Sequence, residues 1–208
     1  MLARNKTTLD RLRKQLAVYR RVLPSLDLKR RQLSGEVVAA RAQLAQTAHE
    51  LEGAVQGAGA RLPMAANEQI ELSGLVRLAG VRIVEEHHLG IALPRLEAVE
   101  WTVVPYSRLV HPHWVDALTE TLRAIGALRL RRQVQQERLR RLQAGLARTI
   151  QRINLFDKLL IPRTERDMRR TRIALADAER DAIARAKIAK VRHLADLVES
   201  VGTTGAAL

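Results

Sequence analysis

The chain has 208 residues, of which 47% are apolar but only 2% are aromatic, and it contains no cysteine. Because large cores rely on buried aromatic rings, this composition favours a narrow helical seam over a thick core. The lack of cysteine excludes disulfides and thiolate metal sites. No apolar run approaches the roughly 18 residues of a membrane span, and the basic stretch 1–6 is not followed by the apolar core of a signal peptide. The sequence therefore predicts a soluble cytoplasmic protein.

Positive charge is concentrated in two parts of the chain. The formal net charge is +14, and the excess of basic side chains lies in residues 1–57 and 115–198, whereas residues 58–114 are close to neutral. Such a field attracts nucleic acid, anionic lipid or an acidic protein surface equally well. The charge therefore indicates a partner without choosing its class.

Residues 1–57 predict an N-terminal coiled-coil arm. Apolar positions recur at alternating intervals of three and four residues, which is typical of a helix that lays a seam on another helix. We place the N-cap at Thr7 or Thr8, and we expect the glycines of the stretch 53–59, then Pro63, to stop the helix. Pro24 should bend the helix, because it removes a backbone hydrogen bond. The predicted seam positions are Leu9, Leu12, Leu16, Tyr19, Leu23, Leu26, Leu33, Val37 and Leu44.

Residues 58–114 differ in kind from the arm before them. Glycines and prolines punctuate short runs rich in β-branched residues, which predict strands over 75–84 and 99–104 and a shorter extended piece around Ile91. A short helix is expected at 67–72. A single hairpin is too small to be stable alone, so we predict a small middle segment that leans on the helices.

Residues 115–198 predict the longer, C-terminal coiled-coil arm, which starts near Pro112, a favoured first residue of helices. The alternation of three and four residues is most regular from 139 to 163. The predicted seam positions of this arm are Leu139, Leu142, Leu146, Ile153, Phe156 and Leu160. Residues 199–208 are expected to form a flexible tail.

The second arm has three expected weak points, Gly126, Gly145 and Pro162. Beyond Pro162 the leucines of the seam give way to small residues, chiefly alanines, which either admit a close partner helix or keep the end slim. Two seamed helices joined by a small segment fold back most simply as an antiparallel pair. The predicted fold is therefore mainly α, a long antiparallel two-helix coiled coil with a hairpin-bearing middle segment. Roughly 45 Å of the second arm would lack a partner within this chain.

The sequence predicts no catalytic residue, cofactor site or metal site. It has no glycine-rich phosphate loop that ends in Lys-Ser or Lys-Thr. Histidines occur in pairs at 87–88 and 111–113, but with no cysteine beside them they are more typical of loops than of a metal site. The adjacent carboxylates at 85–86 are interpreted as solvated rather than as an acid/base pair.

Basic side chains cluster at 129–141 and 163–172, where they form either the wetted faces of a long helix or a grip for phosphates. Interleaved aromatic rings, which stack on single-stranded bases, are absent from these runs. A basic coiled coil that coats nucleic acid, or serves as a scaffold, stays open as an alternative. A tether to a membrane surface is disfavoured, because no Trp or Phe flanks the charged faces.

Several runs of residues carry a family resemblance, most specifically in the second arm. They are Arg152-Ile153-Asn154-Leu155-Phe156, Leu160-Ile161-Pro162-Arg163 and Arg185-Ala186-Lys187-Ile188-Ala189-Lys190, with weaker matches at Leu23-Pro24-Ser25-Leu26, Pro105-Tyr106-Ser107 and Trp114-Val115-Asp116. Together these runs resemble the D subunit of V-type (V/A-type) ATPases and ATP synthases, over roughly residues 3–192.

The resemblance implies a non-catalytic rotor axle without a cofactor, part of the central stalk. Its terminal ends would insert into a catalytic hexamer of A and B subunits, the small F subunit of the stalk would bind the coiled coil, and the lower end would dock on the membrane rotor. The expected location is cytoplasmic, at the inner face of the cell membrane, with the membrane reached only through the complex and no nucleic acid bound. The candidate partner contacts are Arg163, Arg180, Arg185, Lys187 and Lys190.

Overall fold

The computed structural model describes residues 5–66, 74–103 and 113–204, with side chains described except at 65–66 and 193–204. Its elements are helix α1 (Lys6–Arg61), a 3-10 turn (Pro63–Ala66), strands β1 (Val76–His88) and β2 (Ile91–Val103), helix α2 (Trp114–Leu155), a π-helical turn (Phe156–Leu160) and helix α3 (Ile161–Thr204). The prediction of a mainly helical fold with a central hairpin is confirmed. No helix in the described ranges is long and apolar enough to cross a membrane.

Three expectations fall on residues outside the described part of the chain. These are the short helix at 67–72, the family-like run at 105–107 and the helix start at Pro112. Of the tail expected at 199–208, residues 199–204 belong to α3 and the last four residues lie outside the described part.

Helix α1 differs from the prediction at both ends. Its N-cap is Asn5, whose side-chain Oδ1 accepts a hydrogen bond of 2.7 Å from the backbone N–H of Thr8. The expected cap at Thr7 or Thr8 is therefore wrong, because the side chain that accepts this bond precedes both threonines. The helix also passes through the glycine-rich stretch 53–59 and ends at Arg61. Glycine only weakens a helix, by about 1 kcal/mol per residue, whereas Pro63 disfavours helical backbone in the residue before it.

The two strands form one antiparallel hairpin. The pairing runs from Val76 opposite Val103 to His88 opposite Ile91. Leu89 and Gly90, with φ of 51° and 73°, make the two-residue turn, and two successive left-handed residues are what a type I′ turn requires. Two bulges, beside Gly80 and Ile83, interrupt the alternation of side chains. The extended piece expected around Ile91 is thus the start of β2, and both strands are longer than predicted.

The chain divides into two compact units. The first comprises Met1–Ser25 and Arg152–Leu208, and the second comprises Leu26–Gln151. In the first unit the N-terminal part of α1 runs antiparallel to α3. Lys6 Nζ lies 3.8 Å from Glu179 Oε1, and Arg20 Nη2 lies 2.7 Å from Glu165 Oε1, so rising numbers in one helix meet falling numbers in the other.

The π-helical turn of the first unit lies directly before Pro162. The backbone N–H of Ile161 donates to the carbonyl oxygen of Phe156, five residues earlier. Pro162 has no N–H, so it cannot continue the ordinary ladder of hydrogen bonds, and its ring would crowd the carbonyl of Lys158. The widened turn keeps the helix continuous at the weak point that the sequence indicated.

The second unit has two apolar clusters. The larger cluster joins α1, β2 and α2, and its members are Leu33, Val37, Ala40, Leu93 and Leu142. The smaller cluster lies near the start of α2, and its members are Leu75, Trp114, Val115 and Leu118. Leu93 of the hairpin is fully buried in the larger cluster. The hairpin is therefore part of the core of this unit and not an appendage on a helix pair.

Two glycines of α2 mark where the hairpin approaches most closely. A Cβ added at Gly126 would overlap the ring of Trp101, and one added at Gly145 would overlap Ile91 Cδ1. Trp101 lies late in β2 and Ile91 opens it, so β2 runs antiparallel to α2. The sequence marked both glycines as weak points of the helix, whereas the structure shows that they make room for the hairpin.

We expect Gly126→Ala to lower the free energy of unfolding of the second unit by about 1–3 kcal/mol, because the rigid Trp101 ring must move as a whole. Gly145→Ala should have a smaller effect, since rotation of the Ile91 side chain relieves part of the overlap. Urea unfolding followed by tryptophan fluorescence measures this, because both tryptophans lie in the second unit.

The matched control is Gly35→Ala. Gly35 lies inside α1 in the same unit, and an added Cβ there meets nothing within 4 Å. This variant should raise the free energy of unfolding by up to about 1 kcal/mol through helix propensity alone. Equal stabilisation by Gly126→Ala would contradict the close packing of Trp101 on α2.

Candidate functional site

The predicted seam positions all lie away from solvent. Those that are buried are Leu9, Leu12, Leu16, Leu33, Val37 and Leu142. Those that are half-buried are Tyr19, Leu23, Leu26, Leu44, Leu139, Leu146, Ile153, Phe156 and Leu160. The structure distributes these residues over both units and brings Leu33, Val37 and Leu142 into one cluster. Their role in a shaft remains a prediction.

An aromatic pair joins the two helices of the first unit. The ring centroids of Tyr19 and Phe156 are 5.4 Å apart and the ring planes cross at 67°, an edge-to-face arrangement. Such pairs contribute about 0.5–1.5 kcal/mol beyond the area that they bury. Phe156 is the only phenylalanine of the chain, and it packs where the π-helical turn begins.

Buried threonines take part in the seam, and two of them lie beyond Pro162, where small residues were expected. Thr149, Thr164 and Thr171 are buried, and each hydroxyl donates to the carbonyl oxygen four residues earlier, at 2.7–2.9 Å. The hydroxyl is thus satisfied within its own helix, and the methyl group is free to pack. The spacing from Leu160 to Thr164 to Thr171 fits the heptad, so a pattern that admits threonine would have found the two beyond Pro162.

The five candidate partner contacts are all exposed on α3. Arg180 pairs only with its helical neighbour Asp177, at 3.2 Å. Arg163, Arg185, Lys187 and Lys190 form no ion pair with any residue of the described ranges. From 177 to 192 every side chain is exposed, so this stretch of α3 presents free cations and has no apolar cover within the described chain.

Ion pairs hold the turn end of the hairpin to the helices of the second unit. Arg141 Nη1 donates to Glu85 Oε1 at 2.9 Å and to the carbonyl oxygen of Ala92 at 3.1 Å, while Arg141 Nε donates to Glu137 Oε1 at 2.8 Å. On α1, Glu36 Oε1 lies 3.2 Å from His88 Nε2.

The adjacent carboxylates of β1 are therefore engaged rather than merely solvated. Glu86 pairs with Arg95 at 2.9 Å and with Arg138 at 3.6 Å, and Glu85 pairs with Arg141 at 2.9 Å. Their side chains are 57% and 40% exposed, so the interpretation of these carboxylates as solvated agrees with the fold, which also brings arginines of α2 beside them. The sequence offered no signal for this contact between distant segments.

Within this network, the pKa of the Glu137 carboxyl is strongly shifted by its arginine neighbours. Hydrogen bonds from Arg140, then from Arg141, lower the pKa of its carboxyl from 4.5 to about 2. Since these bonds favour the charged form in the folded state, the carboxylate stabilises the fold only while it is ionised.

We expect the contribution of Glu137 to be fully present above pH 4.5 and to be lost as the pH falls towards 2, because the folded pKa is the lower one. In Glu137→Gln the free energy of unfolding should therefore vary less between pH 4.5 and pH 2 than in the unchanged chain. Carbon-detected NMR titration of the carboxyl, with unfolding curves at several pH values, checks this. Glu52→Gln, at an exposed glutamate of α1 with no ion pair in the described ranges, is the control and should leave the pH dependence unchanged.

The chain is similar in sequence to known D subunits of ATP synthases. A family model for the D subunit of ATP synthases matches residues 8–191. The V-type ATP synthase D subunit of Borreliella burgdorferi is 26% identical over 185 residues, which cover 89% of this chain and 91% of that protein. That of Chlamydia caviae is 28% identical over 192 residues, 91% of each chain. That of Chlamydia muridarum is 34% identical over 105 residues, which span 50% of this chain and 52% of the relative.

Proposed function

The chain belongs to the family of ATP synthase D subunits, and on this premise we propose that it is the central rotor shaft of a V-type ATP synthase. It would transmit torque between a catalytic hexamer of A and B subunits and the ion-translocating ring in the membrane. The shaft itself would perform no catalysis. The match to the family over residues 8–191 is the observation that carries this proposal.

The packing of the helices supports a part that bears torsion. Torque is transmitted only if the two helices cannot slide or unwind past one another. In the first unit, an edge-to-face ring pair and the ion pair between Arg20 and Glu165 link α1 to α3. In the second unit, Leu33 and Leu142 are fully buried in a cluster that joins α1 to α2. A shift of one helix along the other would break these contacts, because close-packed side chains fit only one arrangement.

The proposed partners follow from the exposed surfaces. The basic stretch of α3, with Arg163, Arg180, Arg185, Lys187 and Lys190, would meet acidic surfaces inside the hexamer. The F subunit of the stalk and a docking subunit of the membrane rotor would bind elsewhere on the chain. Residues 1–57 and 115–198 would serve as the two arms and 58–114 as the middle segment. The chain would then lie at the cytoplasmic face of the membrane and reach it only through the complex.

We expect Leu146→Asp combined with Ile153→Asp to uncouple ATP hydrolysis from ion transport. Each change places a carboxylate at a half-buried seam position, where burial of an unpaired charge is strongly unfavourable. The two helices would then separate or slide under torque. ATP hydrolysis would continue, while the number of ions transported per ATP would fall several-fold. Membrane vesicles that contain the assembled complex allow both rates to be measured together.

A matched control uses Gln143→Asp combined with Gln151→Asp. Both glutamines are exposed and lie close to the seam residues along the same helix, so the control adds the same charge without entering the seam. It should leave the coupling ratio near that of the unchanged complex. Unchanged coupling in the seam variant would contradict torque transmission through these helices.

The net charge of +14 favours one alternative, a basic coiled coil that coats nucleic acid. The two functions predict different results for a tagged chain that is purified from its own cells. The shaft should co-purify with a hexameric ATPase, and it should lack affinity for DNA at physiological salt. A coating protein should bind DNA, with the logarithm of the affinity falling steeply against the logarithm of the salt concentration. Strong DNA binding without the hexamer would overturn the rotor proposal.

A further inference from the structure

A groove of about 550 Å³ lies between the hairpin and the helices of the second unit. One wall is the stretch 94–99 of β2. The opposite wall is one face of α2, and Gln43 of α1 and Glu86 of β1 also contribute. The α2 wall consists of Ala127, Arg131, Val134, Gln135 and Arg138.

The strand faces this groove with its edge. Six consecutive residues of β2 line the groove, although successive side chains of a strand point to opposite faces. The bulge at Glu97 shifts this alternation by one residue, yet residues from both faces of the strand still line the groove on either side of it, so the edge of the strand is turned towards it. β2 pairs with β1 along its other edge, in a sheet of two strands. Within the described part of the chain, the backbone groups of 94–99 form no hydrogen bond on the groove side.

The charges that would normally guard such an edge are directed elsewhere. Free edges are usually protected by charged side chains and prolines. Pro94 lies at one end of the stretch and a bulge lies at Glu97, but Arg95 pairs with Glu86 at 2.9 Å and Glu97 pairs with Arg82 at 3.9 Å. Both side chains are thus engaged within the hairpin, and the backbone edge beyond Pro94 is left open.

The opposite wall has two polar groups that lack a partner. Arg131 is exposed and forms no ion pair with any residue that the structure describes. Gln135 Oε1 is buried and accepts no hydrogen bond from any residue that the structure describes. Arg138, by contrast, is bound to Glu86 at 3.6 Å. A cation and a buried acceptor therefore face the free edge of the strand without serving the fold of this chain.

We propose that the groove receives an extended segment of a partner subunit, which adds to β2 as a third strand. Such a strand satisfies the free backbone groups of 94–99. It carries an acidic side chain opposite Arg131 and a hydrogen-bond donor opposite Gln135. A second copy of this chain is disfavoured as the occupant, because two bodies with a net charge of +14 repel each other. The inference rests on the proposed function in that the occupant is another subunit of the same complex.

Hydrogen exchange at single-residue resolution tests the strand addition. In the isolated chain, the amides of 95–99 that bond to β1 should exchange slowly and the others should exchange fast, with the alternation broken at Glu97, which has no partner in β1. In the assembled complex the fast amides should slow by at least about tenfold, since each gains a hydrogen bond. The outer edge of β1 (76–86) is the internal control and should keep its fast amides. Fast amides in β2 that stay fast in the complex would overturn the proposal.

Photo-crosslinking in living cells identifies the occupant independently. A benzophenone amino acid replaces Gln43, an exposed residue of the groove, and the crosslinked peptide is sequenced by mass spectrometry. We expect one segment of a partner subunit that contains Asp or Glu. Arg131→Ala should lower the crosslink yield about fivefold, as the loss of one partly exposed ion pair does. Arg132→Ala removes an exposed neighbouring charge outside the groove and should change the yield by less than about twofold.

The outcomes separate this inference from the proposed function. Co-purification with the hexamer tests the function, whereas the crosslink is read in whole cells and does not depend on that purification. A crosslink to a second copy of this chain, to a helical segment, or with equal yield in both arginine variants would overturn the inference alone. The absence of any crosslink from position 43 would do the same, whatever the result of the purification.

Discussion

The apolar contact of α1 with α2 in the second unit is the constraint on which that unit depends. Leu33, Leu93 and Leu142 come from two helices and a strand, and all three are fully buried. Full burial of a leucine stabilises a fold by about 1.5–3 kcal/mol. With few aromatic rings in the chain, such aliphatic contacts supply most of the available burial. A strand that would be marginal alone is held because it contributes Leu93 to this cluster.

Electrostatics in this protein has two separate tasks. Around the turn of the hairpin, Arg141 and Arg138 of α2 form ion pairs with the carboxylates of β1. Along α3, by contrast, most of the basic side chains from 163 to 192 have no partner in the described chain, and they are exposed. These side chains contribute no ion pair to the described fold, and this surplus of exposed cations supports the proposed contact with an acidic partner surface. Arg131 likewise forms no ion pair within the described chain, whereas its neighbour Arg138 pairs with Glu86.

Glycine positions link the hairpin to the helices. A glycine inside a helix lowers stability by about 1 kcal/mol relative to alanine, and Gly126 and Gly145 offset this loss by admitting Trp101 and Ile91. Gly35 has no such neighbour, and nothing in the structure explains its presence in α1. Whether a helical glycine is needed for the fold therefore depends on the side chains that pack against it and not on the helix that contains it.

Apolar periodicity and turn residues are local signals, and they were enough to predict a mainly helical fold with a central hairpin. The family was also within reach of the sequence, through runs such as Arg152-Ile153-Asn154-Leu155-Phe156. It misjudged the cap at Asn5 and the end of α1 at Arg61, where neighbouring residues compete for one role. The folded structure was needed to show that Leu93 enters the core and that the edge of β2 faces a groove. These features depend on contacts between residues far apart in the chain, and no local pattern encodes which distant surfaces will meet.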